Sequence, residues 1–347
     1  MDVEEIIQKW IEAGDETAVL DLSNLDIEEL PELPANLQKL DCSFCDNIKE
    51  LPELPKLLKE LYCFNCYKLE ELSGLPESLR VLGCYKCYKL KELPELPKSI
   101  QILNCSYCED LKELPELPKS LQVLECYRCN VKKLPELPPY LIELKCSCKE
   151  LPKLPPYLQK LYCDHCFIKN LPKLSGALQI LYCFNCYELK EIPELPLNLQ
   201  ELKCYNCSEL KELPKLPKSL QILSCNKCFI KKIPELPPNL QELSCYYCYN
   251  LKELPELPLY MIELNCSYCF ELKELPELPP NLQLLDCYYC KNLKELPKLP
   301  PSLQKLKCYN CPNLKELPEL PANLRRLDCY YCPIKTLPPI LPANVSL

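Results

Sequence analysis

Leu121-Gln122-Val123-Leu124-Glu125-Cys126-Tyr127-Arg128-Cys129-Asn130-Val131-Lys132-Lys133-Leu134-Pro135 carries the pattern that decides the fold of this chain. Its skeleton is LxxLxCxxC, one or two spacer residues, an aliphatic, then xxLPxLP. Outward from this stretch the unit recurs, fifteen times in all, at intervals of about 21 residues. Counted from the first leucine, the cysteines stand at slots six and nine, except that Cys148 falls one slot early. The pairs are Cys42 and Cys45, Cys63 and Cys66, Cys84 and Cys87, Cys105 and Cys108, Cys126 and Cys129, Cys146 and Cys148, Cys163 and Cys166, Cys183 and Cys186, Cys204 and Cys207, Cys225 and Cys228, Cys245 and Cys248, Cys266 and Cys269, Cys287 and Cys290, Cys308 and Cys311, and Cys329 and Cys332. Together they use all thirty cysteines. A fixed short period means that no unit buries its apolar face alone and that neighbours must stack.

LxxLxLxxN/C is the leucine-rich-repeat signature, a strand per unit lining one face of a horseshoe. Here Cys replaces Leu at slot six and takes the Asn-or-Cys place at slot nine. Strand alternation sends slots four and six inward and slots three, five and seven outward. The return segment, Leu134-Pro135-Glu136-Leu137-Pro138 in the unit above, cannot be helical. Proline removes backbone donors and forces its predecessor out of the helical region. An extended, polyproline-like arc on the convex side is expected. The fold class is therefore a leucine-rich-repeat solenoid with a parallel sheet and a short N-terminal helical cap.

The Leu-Pro-Glu-Leu-Pro-x-x-Leu-x-x-Leu segments resemble the LPX-type repeats of bacterial type III secreted effectors, which also begin with a helical cap carrying Trp, as Ile6, Ile7, Trp10 and Ile11 do here. The Cys-x-x-Leu-Lys-Glu-Leu-Pro portion is similar to repeats of plant TIR-type receptors and of giant-virus repeat proteins. The resemblance implies a solenoid and leaves the role open, because such repeats serve many functions. No counterpart of the ubiquitin-ligase domain that some such effectors carry is expected, since the sequence stops right after the repeats.

Residues 1–16 read as the helical cap, 17–36 as an atypical first repeat with its connection, 37–341 as the array and 342–347 as a tail. Asp2 and Glu5 have capping-box spacing and Gly14 is the stop. One unit is short: Cys146-Ser147-Cys148 has lost residues and the next first cysteine follows only 17 positions on. A change of curvature or register is expected there. The run after Cys332 carries no polar helix, so it reads either as a frayed end or as an edge for an end-to-end or C-terminal dimer.

A net charge of −8 argues against nucleic acid and anionic membrane as partners. Residues 1–14 lack the basic and apolar regions of a secretory signal, and no apolar run approaches membrane length. A reducing, cytoplasmic compartment is expected, the host cytoplasm on the effector resemblance, with the cysteines as thiols or metal ligands. Secretion would instead allow disulfides, and Asn104, Asn206, Asn265 and Asn344 stand in short glycosylation-type motifs. No catalytic constellation is present: the one histidine, His165, lies between Cys163 and Cys166, and four glycines supply no phosphate loop. The chain reads as a non-enzyme.

Two features attract function. Slots seven and eight are rich in aromatics, including Phe64, Tyr85, Tyr107, Tyr127 and Phe184, and the doubled tyrosines fall toward the C-terminal half. Tyr205, Tyr246, Tyr247, Tyr268, Tyr288, Tyr289, Tyr309, Tyr330 and Tyr331 are the candidate partner-binding residues on the concave face, since Tyr is enriched at interfaces; ladder stabilisation by cross-strand stacking is the competing reading. The second feature is the pair of inward cysteine columns. Free Cys packs as a small hydrophobe, so no cofactor is required. Four thiolates from adjacent repeats would also suit zinc or an iron–sulfur cluster, which makes all thirty cysteines candidate ligands. Against metal, CxxC ligand pairs normally occupy tight turns, and slot six is expected on a strand.

Overall fold

The computed structural model describes residues 2–72 and 74–334. It divides into two compact units. In the first, Met1–Cys166, helix α1 (Val3–Ala13) precedes strands β1 (Leu20–Asp21), β2 (Lys39–Asp41), β3 (Glu60–Tyr62), β4 (Val81–Gly83), β5 (Ile102–Asn104), β6 (Val123–Cys126), β7 (Glu143–Cys146) and β8 (Lys160–Tyr162). In the second, Phe167–Leu347, follow β9 (Ile180–Tyr182), β10 (Glu201–Lys203), β11 (Ile222–Ser224), β12 (Glu242–Ser244), β13 (Glu263–Asn265), β14 (Leu284–Asp286), β15 (Lys305–Lys307) and β16 (Arg326–Asp328). Within each unit the strands pair in parallel and in sequence order, with slot-four leucines opposite one another, as Leu40 with Leu61 and Leu285 with Leu306. The atypical first repeat supplies β1, which pairs with β2.

The core is a stack of side chains from slots one, four, six and nine. Leu121, Leu124 and Leu264 are wholly buried, as are Ile100 and Met261, the slot-one exceptions. Each proline-rich return ends in a tight turn closed by a backbone bond, such as Leu58 N–H to the Pro55 carbonyl at 3.0 Å. Among the described residues α1 is the only helix, as the prolines demand. Its Ile7 is buried, Gly14 stops it in the left-handed conformation, and the Trp10 indole donates to the Ala18 carbonyl at 3.3 Å. The capping box expected from Asp2 and Glu5 does not form. Asp2 makes no side-chain cap bond, and Glu5 instead pairs with Lys9 at 3.0 Å, one turn along the exposed face.

The CxxC segment corrects a second expectation. In the regular repeats most strands stop at slot five, and Cys-x-x-Cys is itself a tight turn, closed where Cys87 N–H meets the Cys84 carbonyl at 3.3 Å. Slot eight takes a left-handed φ between 53° and 61° in every CxxC, and Asn24 does the same in the first repeat. None of these residues is glycine, although a left-handed residue other than Gly costs about 1–2 kcal/mol. Asn65, Asn185, Asn206 and Asn310 tolerate it through their short polar side chains. Tyr247, Tyr268 and Tyr289 stack on one another there, and each stack returns about 0.5–1.5 kcal/mol. The stacks therefore offset most of the backbone strain at their own positions.

Around the short repeat the register does not change. Val123, Leu124, Glu125 and Cys126 face Glu143, Leu144, Lys145 and Cys146, and β7 then pairs normally with β8. The lost residues come from the turn and the segment after it, so the leucine ladder is untouched. Residues 335–347, with the end of the array, the tail, Asn344 and the expected dimer edge, lie outside the described residues.

Candidate functional site

Slot nine has a defined structural task. The Cys66 thiol donates to the Cys42 carbonyl at 3.2 Å, Cys87 to Cys63 at 3.0 Å, Cys228 to Cys204 at 3.0 Å and Cys290 to Cys266 at 3.2 Å. The ladder begins at Cys45, which donates to Leu22 at 3.2 Å, and reaches Cys332, which donates to Cys308 at 2.9 Å. Each thiol thus satisfies a carbonyl at the end of the preceding repeat's strand, a group that burial would otherwise penalise. Replacing Cys290 with Ala is expected to cost about 1–3 kcal/mol, the desolvation cost of an orphaned carbonyl. Asn at the same position, carrying an N–H donor, is expected to recover part of the loss in urea melts. Equal stability of the Ala variant and the wild type would remove this role.

Slot six is the more deeply buried column. Burial pushes the thiols of Cys42, Cys126, Cys204 and Cys287 well above the ordinary cysteine range. At Cys63, Cys84, Cys105, Cys225, Cys245 and Cys266 a hydrogen bond with the next repeat's slot-nine thiol leads the upward shift and burial adds to it. These groups are neutral thiols at physiological pH. Cys332 is the opposite case: hydrogen bonding from Cys311, its backbone N–H included, lowers it to about 7.

As metal ligands the thirty cysteines do not behave alike. Among the described residues one group brings three ligand atoms together: the sulfurs of Cys146, Cys148 and Cys166 lie within 4.8 Å of one another. This is the repeat where the turn is one residue short. His165 stands apart from that group, its ring facing Tyr127 at 6.1 Å and its Nε2 3.4 Å from the Arg128 guanidinium.

Outside the core, the predicted tyrosines of the second unit form two adjoining columns. At slot eight Tyr247 stacks on Tyr268 at 4.0 Å and Tyr268 on Tyr289 at 4.6 Å. At slot seven Tyr288 stacks on Tyr309 and Tyr309 on Tyr330, each at 4.5 Å, while Phe184 stacks on Tyr205. Edge contacts tie the columns together: Tyr246 to Tyr247, Tyr288 to Tyr289 and Tyr330 to Tyr331. Tyr330 and Tyr331 are the most open, at 52% and 79% exposure; the other predicted tyrosines are half-buried by their neighbours. Burial raises the Tyr288 and Tyr309 hydroxyls above their ordinary range, so both are hydrogen-bond donors at neutral pH. Below them Asp286, itself buried, accepts from Ser267 at 2.8 Å and pairs with Lys307 at 3.0 Å.

The first unit has an aromatic run of its own. Phe64, Tyr85, Tyr107 and Tyr127 follow one another at 5.3–6.4 Å, with Arg128 over the Tyr107 and Tyr127 rings. Gly83 makes room for it. A methyl group there would collide with the far end of the Phe64 ring.

Slot seven departs from the simple outward reading. At Ser43, Ser106 and Asn226 it is small, polar and buried. There it accepts the next repeat's slot-seven N–H: Phe64 on Ser43 at 3.1 Å, Tyr127 on Ser106 at 3.1 Å and Tyr246 on Asn226 at 3.0 Å. A third aromatic set escaped the sequence reading. The residue just after the second cysteine is Tyr67, Tyr88, Phe167, Tyr187, Phe229, Tyr249 or Phe270 in seven repeats. Tyr67 stacks on Tyr88 at 5.3 Å, and Tyr249 meets Phe270 at 4.8 Å and Tyr247 at 5.8 Å, so the aromatic surface wraps over the turn. The signal lies in the sequence as an aromatic directly after the cysteine pair in these seven repeats. In the same region Asn206, Lys227, Phe229, Tyr247 and Tyr249 line a hollow of about 390 Å³.

One parallel strand per unit, a slot-nine ladder and non-helical returns define a leucine-rich-repeat protein, and the chain belongs to that family. Among solved structures it is similar to YopM from Yersinia enterocolitica WA-314, with 29% identity, a TM-score of 0.63, and coverage of 99% of this chain and 92% of that one. It is also similar to YopM of Yersinia pestis, described as a leucine-rich effector protein, with 31% identity, a TM-score of 0.60, and coverage of 98% and 90%. No family model matches the chain, and no curated protein sequence does. No helix among the described residues is long and apolar enough to cross a membrane.

Proposed function

We propose that this chain is a non-enzymatic scaffold that binds a protein partner through the aromatic sheet face of its second unit, in a reducing, cytoplasmic compartment. The similarity to leucine-rich effector proteins supports an interaction role. The observation that carries the surface is the double column ending in Tyr330 and Tyr331. Its rings are rigidified by stacking. Rigid, amphipathic tyrosines give contact area at small entropic cost. The N-terminal run, with Lys86 and Arg128 over its rings, offers a second, more cationic aromatic surface.

The test is affinity capture from a cell lysate with wild type and with Tyr288, Tyr289, Tyr330 and Tyr331 all changed to Ala, compared by quantitative mass spectrometry. Loss of the specifically captured proteins, with the far-ultraviolet spectrum unchanged, is the expected result. Undiminished capture by the variant would remove this face from the reading.

A further inference from the structure

We propose that the shortened repeat is a single-ion site for a thiophilic monovalent cation of the copper(I) class, held by Cys146, Cys148 and Cys166. In the regular repeats the two-residue spacer carries the slot-nine sulfur over to the preceding repeat's slot-six carbonyl. With one residue removed, the Cys148 sulfur stands 4.0 Å from the Cys146 sulfur, and the Cys166 sulfur closes the triangle within 4.8 Å. Cys146 ends β7 and faces Cys126 in register, while Cys166 donates to the Cys146 carbonyl at 3.5 Å, so two of the three positions are fixed by the ladder. The three residues are 0%, 3% and 1% exposed.

The spacing selects the geometry. An ion about 2.3 Å from three sulfurs in a plane requires them to be about 4.0 Å apart. The Cys146–Cys148 separation already has that value. Zinc takes four ligands in a closed site. Among the described residues no fourth Cys, His, Asp or Glu joins the group, and all three cysteines are buried. An all-thiolate, three-coordinate, buried site suits a soft ion such as copper(I). The thiol protons leave to solvent as the ion enters, and the ion's charge offsets part of the cost of the buried thiolates. The site is independent of the proposed partner-binding face, which lies in the other unit.

The experiment uses the full chain, reduced and oxygen-free, titrated with copper(I) against a chromophoric copper(I) chelator. One ion per chain is expected to be withdrawn from the chelator ahead of any further uptake. X-ray absorption on that complex is expected to show about three sulfurs near 2.3 Å and no nitrogen or oxygen neighbour. Cys148→Ser is expected to weaken the site by about a hundredfold or more, since it replaces a soft ligand with a hard one. Cys290→Ser, in an ordinary repeat, is expected to leave it unchanged. Retention of no copper by the wild type, uptake spread evenly over many thiols, or undiminished binding by Cys148→Ser would each overturn the proposal. The wild-type stoichiometry and ligand count stand even if Cys148→Ser fails to fold.

Discussion

Raising the pH of the reduced protein from 7 to 9.5 is expected to unfold it, in a transition far steeper than a single ionisation gives. Eleven slot-six thiols have their pKa shifted well upward by burial and by neighbouring thiols, from Cys42 and Cys63 through Cys266 and Cys287. In the unfolded chain each ionises near the ordinary value of about 8.5. A group raised on folding stabilises the native state fully below its unfolded pKa, and that contribution is lost as pH rises toward the folded value. Each such thiol then costs roughly 0.8 kcal/mol at pH 9 and roughly 1.4 kcal/mol at pH 9.5. Eleven of them reach on the order of 10 kcal/mol, comparable with the whole stability of a typical domain. Circular dichroism and thiolate absorbance near 240 nm, followed together in a reductant, are expected to change in one step and to reverse on return to pH 7. A native spectrum persisting to pH 10.5 would contradict the burial of this column.

The second large effect concerns two leucines that look alike in sequence. Leu264, at slot four of β13, is wholly buried, and its truncation to Ala is expected to cost about 2–5 kcal/mol. The damage reaches two interfaces, because β13 pairs with both β12 and β14. Leu197, in a return segment, is 83% exposed, and the same change there is expected to fall within about 0.5 kcal/mol. Urea denaturation of the two variants side by side measures the difference. Equal losses would mean that the return turns pack as tightly as the strands.

The sequence makes the ladder legible because the periods of Leu124, Cys126 and Leu134 leave one way to bury them all. The conformation between the cysteines is less legible. Tyr, Lys, Arg and His at slot eight give no sign of a left-handed turn, and only the asparagines at 24, 65, 185, 206 and 310 hint at it. Alternation is a rule for extended chain, so reading it through slot seven missed that Ser43 and Ser106 are drawn inward to hold an amide. The break at Cys146 and Cys148 is visible as a missing residue. That it gathers three sulfurs depends on where the turn points, which spacing does not encode. The aromatics of slots seven and eight were evident, whereas those just past the second cysteine lay outside the alternation being followed.

In the regular repeats the slot-nine ladder bonds described above run in one direction, from a thiol to the carbonyl of the preceding repeat. Each repeat therefore offers one acceptor forward and one donor backward, and its neighbours need supply nothing else specific at that point. A complete repeat is in this respect an interchangeable cassette. Copying or deleting one whole unit rejoins a donor to an acceptor and leaves no orphan at the seam. Losing part of a unit does not, and the one repeat that is short is also, among the described residues, the one where three sulfurs gather. The array is thus built to change length in whole steps, and a fractional step leaves behind a new chemical group.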